Sequence, residues 1–298
     1  MSFAATRAEP LKLRPKGREG CVRSGGLAGQ LAGSADQTVG NSAEVWRRFP
    51  SRVATFCLVE PQKLRHDRTE LLTRAVQPVL WLVVFGETFS HIHAIPTGNV
   101  PYLDFLAPGI IAQSGMFIAI FYGIQIIWVR DAGVLTKLLV TPTPRSALIL
   151  GKSFAAGIRA LSQVVVVLIL SAILGVGLTS NPVDILGAFV IVILGSAFFS
   201  CLSMTVAGVV LKRDRLMGIG QMITMPLFFA SNALYPVSIM PGWLRALSTV
   251  NPLSYEVDAL RGVLLHSKAD LGLDYLVLLA TVVVGVGAAS ALVGRLDR

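Results

Sequence analysis

Residues 103–128 read LDFLAPGIIAQSGMFIAIFYGIQIIW, a run without Lys or Arg. A bilayer core takes about 20 largely uncharged residues per helical crossing, so this stretch alone predicts a membrane span. A membrane strand would instead alternate in polarity over about 10 residues, and no such alternation is present. Working outward, runs of the same kind predict spans at about residues 75–92, 103–128, 160–178, 185–211, 217–239 and 273–293. Pro108-Gly109 is expected to interrupt the second span, and Pro226, Asn232 and Pro236 the fifth. A chain with 53% hydrophobic and 14% charged residues is too apolar for a soluble domain. Its mean hydropathy of +0.67 agrees. The expected fold class is an all-α integral membrane protein with six transmembrane helices.

Lys and Arg orient it, because cytoplasmic loops retain positive charge during insertion. Arg47, Arg48, Arg52, Lys63, Arg65, Arg68 and Arg74 precede the first span. Arg130, Lys137, Arg145, Lys152 and Arg159 fall between the second and third, and Lys212, Arg213 and Arg215 between the fourth and fifth. Residues 90–102 and 179–184, on the opposite side, contain neither residue type. Both termini are therefore expected in the cytoplasm and the chain in the cytoplasmic membrane, with Arg245, Arg261 and Lys268 running against the pattern. The net charge of +9 reads as topology plus attraction to anionic lipid, about 1 kcal/mol per basic residue near the surface, and implies no nucleic acid. Cys21, Cys57 and Cys201 leave no extracellular pair and are expected to be free thiols.

Residues 1–45 lack apolar periodicity and are expected to form a disordered cytoplasmic tail, an overextended start being the alternative; residues 46–298 form the transmembrane domain. From Ala43 to Thr73, Val45, Trp46, Phe49, Val53 and Phe56 interleave with Arg as in a basic amphipathic helix lying in the headgroup plane. The stretch from Pro241 to Pro252 is too short and polar to cross. It either lines a cavity or outer gate or is a surface loop anchored by Trp243.

Between spans two and three, RDAGVLTKLLVTP (residues 130–142) is charged and amphipathic. A helix there offers Leu135, Leu138 and Leu139 at i, i+3, i+4 spacing on one face, a shape that a cytoplasmic partner can grip. Other motifs are weaker. Ser146 to Ser153 ends like a phosphate-binding loop, but Ser146 stands where that loop needs Gly, so this chain is not expected to hydrolyse ATP itself, and any nucleotide site would lie on another polypeptide. His91, His93 and His266 have no carboxylate or thiol at metal-ligand spacing, so no metal is expected. Ser114 and Ser196 have no base at span depth to activate them, so no catalytic residue is assigned. Polar residues within spans are functional candidates by default: Gln113, Gln163, Gln221 and Asn232 form the candidate substrate pathway, with interhelical hydrogen bonding as their other reading. Glu87 nears the outer end of the first span. Gly285 and Ala289 are spaced for close helix packing.

Four passages resemble the permeases of ABC type-2 exporters, in their drug-resistance (daunorubicin-type) branch. They are the segment from Arg130 to Pro142, FLAPGIIAQ at residues 105–113, MPLFFAS at 225–231, and Tyr235-Pro236 continuing through PGWL (241–244) to NPLSYEVDALRG (251–262). Asp131 stands where Glu is commoner, Thr136 where an acidic residue is usual, and Asn232 where Gly commonly follows Ser231. The resemblance implies a permease subunit, itself no enzyme and without cofactor, paired with a second identical or related copy and with an ATP-binding-cassette ATPase subunit. It implies export of an amphipathic or lipophilic cargo such as a drug, antibiotic or lipid. It also marks Asp131, Gly133, Leu135, Leu138, Leu139, Thr141 and Pro142 as the cytoplasmic coupling helix. The competing reading, an ion- or proton-coupled secondary transporter, needs charged groups within the spans, and these are nearly absent.

Overall fold

The computed structural model describes residue 73 and residues 76–92, 100–133, 145–267 and 269–293. The tail expected over residues 1–45, nearly all of the interfacial helix, and Leu135, Leu138, Leu139, Thr141 and Pro142 of the coupling segment lie outside them.

Every regular element among the described residues is helical. In chain order these are α1 (Val76–Phe89) and α2 (Tyr102–Asp131), then α3 (Arg145–Ile173), α4 (Pro182–Val210), α5 (Arg213–Phe229), α6 (Gly242–Val250), α7 (Pro252–Leu264) and α8 (Leu271–Val293). Four of them, α2, α3, α4 and α8, are long and apolar enough to cross a membrane. α1 is apolar but shorter, and its stretch Trp81–Gly86 is wound as a π-helix. α5 has 17 residues, about 25 Å of helix.

The same device starts α4 and α7. Asn181 and Asn251 cap them by accepting from the backbone N–H of Val183 and Leu253 at 3.2 and 3.1 Å, and each is followed by Pro at the first helical position, where its missing N–H costs nothing. Leu211, at φ +55°, ends α4 in the left-handed region.

Three expectations change. α2 is not interrupted at Pro108-Gly109: the helix continues through, and its offset comes later, at Gln125. The Phe105 carbonyl, in the turn before the proline, accepts from the Arg261 guanidinium, and a Cβ at position 109 would stand 2.5 Å from the Ala233 carbonyl oxygen, so only glycine admits that crossing. The third helix starts at Arg145 rather than near residue 160, because Lys152 and Arg159 lie over the Tyr122 ring of α2, at 5.1 and 5.6 Å, instead of in a loop. The fifth helix ends at Phe229, and residues 230–241 return as bends with a 3-10 turn at Val237–Ile239.

α4 is the hub, packed against α2, α3, α7 and α8. The small residues expected on the last span sit at that seam: Ala289 is fully buried, and a Cβ at position 285 would stand 3.0 Å from the Cys201 Cβ of α4. One end of the bundle gathers the end of α2 and the α4–α5 turn, where Arg130 donates to the Leu211 carbonyl at 3.2 Å and Arg213 lies over Trp128 at 4.5 Å. The other end gathers the start of α2 and the α3–α4 connection, where Asp104 accepts from the Gly177 N–H at 3.0 Å and the Leu264 carbonyl from Thr179 at 3.0 Å.

Candidate functional site

Three of the four polar residues singled out within spans meet at one cavity of about 520 Å³. Gln113 comes from α2, Gln163 from α3 and Gln221 from α5, with Gln77 of α1 and Thr73 completing a ring of neutral hydrogen-bonding groups. Ser114, Phe117, Ile118, Phe121 and Pro78 supply the rest of the wall. Gln113, Phe117 and Phe121 succeed one another at helical spacing on α2, and the two rings stack with centroids 6.3 Å apart. Gln113 and Gln163 lie deep in the cavity, each 2% exposed, whereas Gln77 and Gln221 are exposed at its rim. The Gln113 side-chain N–H₂ has no partner among the described residues, and buried donors are rarely left so. Among the described residues that line the space, none is acidic or basic. Such a wall can hold an uncharged surface carrying both apolar area and hydrogen-bonding groups.

Asn232 is elsewhere. Its side-chain N–H₂ donates to Asp258 of α7 at 2.6 Å, and its backbone carbonyl accepts from Arg261 at 2.8 Å. Arg261 also donates to the carbonyls of Phe105 and Ala233, stands 3.8 Å from Asp258, and lies over the Phe105 ring at 3.6 Å. Tyr102 adds a bond to the Leu234 carbonyl at 3.2 Å. This clasp ties residues 232–234 to the first turns of α2 and to α7. Arg261 is therefore a buried structural cation and not a loop charge that reports topology.

The passage from 241 to 252 forms α6, which exposes Trp243, Leu247 and Val250, and leads into α7, which turns Leu253, Val257, Leu260 and Leu264 into the core. The pattern of spans in the sequence does not single out α7 as a helix, nor Glu256 and Asp258 as buried polar groups. The Asn-Pro start and the apolar spacing of 253, 257, 260 and 264 were the available signal.

Of the coupling segment, the structure describes its beginning. Asp131 is paired with Arg130 at 2.9 Å. Gly133 takes φ +66°, and its N–H donates to the Arg130 carbonyl at 2.8 Å, so the chain leaves α2 in a turn that glycine favours.

Residues 60–265 match the family model described as ABC-2 type transporter. The chain belongs to the ABC-2 type transporter family. It is similar to the putative transport permease ycf38 of Porphyra purpurea, 30% identical over 67% of this chain and 68% of that protein. It is likewise similar to the daunorubicin resistance ABC transporter permease protein DrrB1 of Streptomyces coeruleorubidus, 25% identical over 70% of this chain and 74% of that one. The probable doxorubicin resistance permease DrrC of Mycobacterium tuberculosis is 26% identical over 66% and 70%. ABC-2 permeases are multi-pass membrane subunits and not themselves enzymes; ATP is hydrolysed on an associated ABC ATPase subunit.

Proposed function

We propose that this permease forms the membrane path of an exporter in the cytoplasmic membrane, with α1, α2, α3, α4, α5 and α8 as six spans and both termini in the cytoplasm. The observation that carries the reading is the convergence of Gln113, Gln163 and Gln221, from three different helices, on one cavity whose described lining residues are uncharged. The cargo is an amphipathic or lipophilic molecule: Phe117 and Phe121 offer it apolar area while the amides hold its polar groups. The similarity to daunorubicin and doxorubicin resistance permeases supports the same class.

Gln77 and Gln221 open outward at span depth, where an amide facing lipid is costly. A second permease copy, identical or related, covers this side and completes the path; the exposed Met217, Met222, Met225 and Phe229 of α5 extend the face it would meet. Force enters through the segment that starts at Asp131 and runs by way of Gly133, Leu135, Leu138 and Leu139 to Thr141 and Pro142. The ion pair to Arg130, and the bond from Arg130 to the Leu211 carbonyl, tie the base of this segment to the α4–α5 turn. A push there would move α2 and α5, two walls of the cavity, as rigid elements.

The test is vanadate-sensitive transport in vesicles that hold the permease and its ATPase partner. Replacing Leu135 and Leu138 by Asp is expected to leave the permease folded, abolish transport, and remove the response of the partner's ATPase to cargo. An unchanged response would refute the coupling assignment.

A further inference from the structure

Glu256 belongs to α7, a helix of 13 residues and so about 20 Å long, too short to cross a membrane. Its carboxyl nevertheless ends between the middle turns of α2 and α4. The residue is fully buried, and neither carboxyl oxygen has a hydrogen-bond partner among the described residues. Its walls are Gly115 of α2 and Gly195 of α4; a Cβ at position 195 would collide with the carboxyl, so bare backbone makes the room. The Ser196 hydroxyl beside this space is also buried without a partner.

The charged groups of the surrounding elements face groups other than Glu256. On α7 itself, Asp258 and Arg261 face each other, Asn232 and Tyr102. On α8, Asp274 faces Asp258 and Asp270. What α2 and α4 turn toward Glu256, namely Gly115, Gly195 and Ser196, carries no charge. Among the described residues, an ionised carboxylate here would have neither a counter-ion nor a hydrogen bond, a state that the neutral acid avoids. Burial accordingly pushes the Glu256 carboxyl well above the usual carboxylate range.

We propose that Glu256 is a proton-binding site, occupied while α7 is seated between Gly115 and Gly195 and vacated to entering water when α7 withdraws. The site shares a wall with the amide-lined cavity, because Gln113 and Ser114 directly precede Gly115 on α2. Proton release and cargo therefore act on the same turn of that helix. A carboxyl group between the middle turns of two spans is thus delivered by a helix that does not cross.

The sign follows from the burial. A carboxyl held neutral in the seated state favours seating at low pH, and this preference is lost as pH rises through its folded-state value. Infrared spectra of the full chain in lipid vesicles at pH 7 should show the carbonyl band of a protonated carboxylic acid. The band should shift when glutamate is carbon-13 labelled, disappear in Glu256→Gln, and titrate away at alkaline pH. Its absence from the unsubstituted, labelled protein at pH 7 would overturn the proposal without recourse to any variant. Hydrogen exchange of the α7 amides, corrected for the intrinsic pH dependence, should accelerate with pH in the natural protein, up to tenfold per unit, and stay flat in Glu256→Gln. Equal profiles for the two proteins would refute the seating role.

Discussion

The amide-lined cavity and the Arg261 clasp are both polar regions built into an apolar bundle, and they differ in how completely their groups are satisfied. In the clasp, one guanidinium serves the backbone carbonyls of Phe105, Asn232 and Ala233, and Asp258 receives the Asn232 side-chain N–H₂, which leaves the Asn232 Oδ1 as the clasp's one buried side-chain atom without a partner among the described residues. In the cavity, the Gln113 amide keeps an unmet donor, and Gln77 and Gln221 stand at an open rim. A satisfied polar cluster stiffens a fold, whereas buried unmet hydrogen-bonding capacity calls for an explanation outside the fold itself. Polarity at span depth does not distinguish the two; the clasp engages its charged groups with one another and with backbone carbonyls, whereas the cavity turns its amides toward open space.

Substitutions can break this comparison. The largest loss of stability is expected for Arg261→Met, which strips the clasp of its donors and leaves Asp258 without its cation, at about 3–5 kcal/mol. Denaturation of the protein in lipid would measure it, and a variant as stable as the natural protein would remove Arg261 from its structural role. Gly109→Ala comes next. Its new methyl would meet the Ala233 carbonyl, and overpacking of this kind costs about 2 kcal/mol, read by the same assay. Asn232→Ala removes one bond to a carboxylate, about 1.5 kcal/mol, and should leave the ranking of transported cargoes unchanged. If it altered that ranking while leaving stability intact, Asn232 would belong with the cavity instead.

The smallest stability effect, and the one that sharpens the contrast most, is expected for Gln113→Leu combined with Gln221→Leu. Removing an unmet buried donor and an exposed amide should shift stability by less than about 1 kcal/mol, yet change which cargoes stimulate the partner's ATPase. An unchanged cargo profile would demote the cavity to a packing defect.

Much of this was legible in the residues. The runs around 103–128, 185–211 and 273–293 predict helices that the structure shows at Tyr102–Asp131, Pro182–Val210 and Leu271–Val293. Gln113, Gln163 and Gln221 were marked because an amide inside a span is expensive. Asn232 was marked by the same rule, and its bond to Asp258, a residue 26 positions away, is the kind of contact that no local pattern reports. Lys152 and Arg159 read as loop residues because a basic side chain ends an apolar run; the Tyr122 face makes both acceptable on a helix. Arg261 read as a topology charge for the same reason. α7 was passed over because its Glu, Asp and Arg hide an apolar stripe that only a helical projection exposes.

The order of residues was enough to establish a helical membrane protein and its family, since hydrocarbon burial and helical periodicity are properties of neighbours along the chain. Which polar groups are spent on holding the bundle together, and which are left open toward a cavity or a proton, was decided by the packing of α7 and α5 against α2. Hydrogen-bond satisfaction is a property of neighbours in space, and segments far apart in the chain become such neighbours only once the bundle has closed.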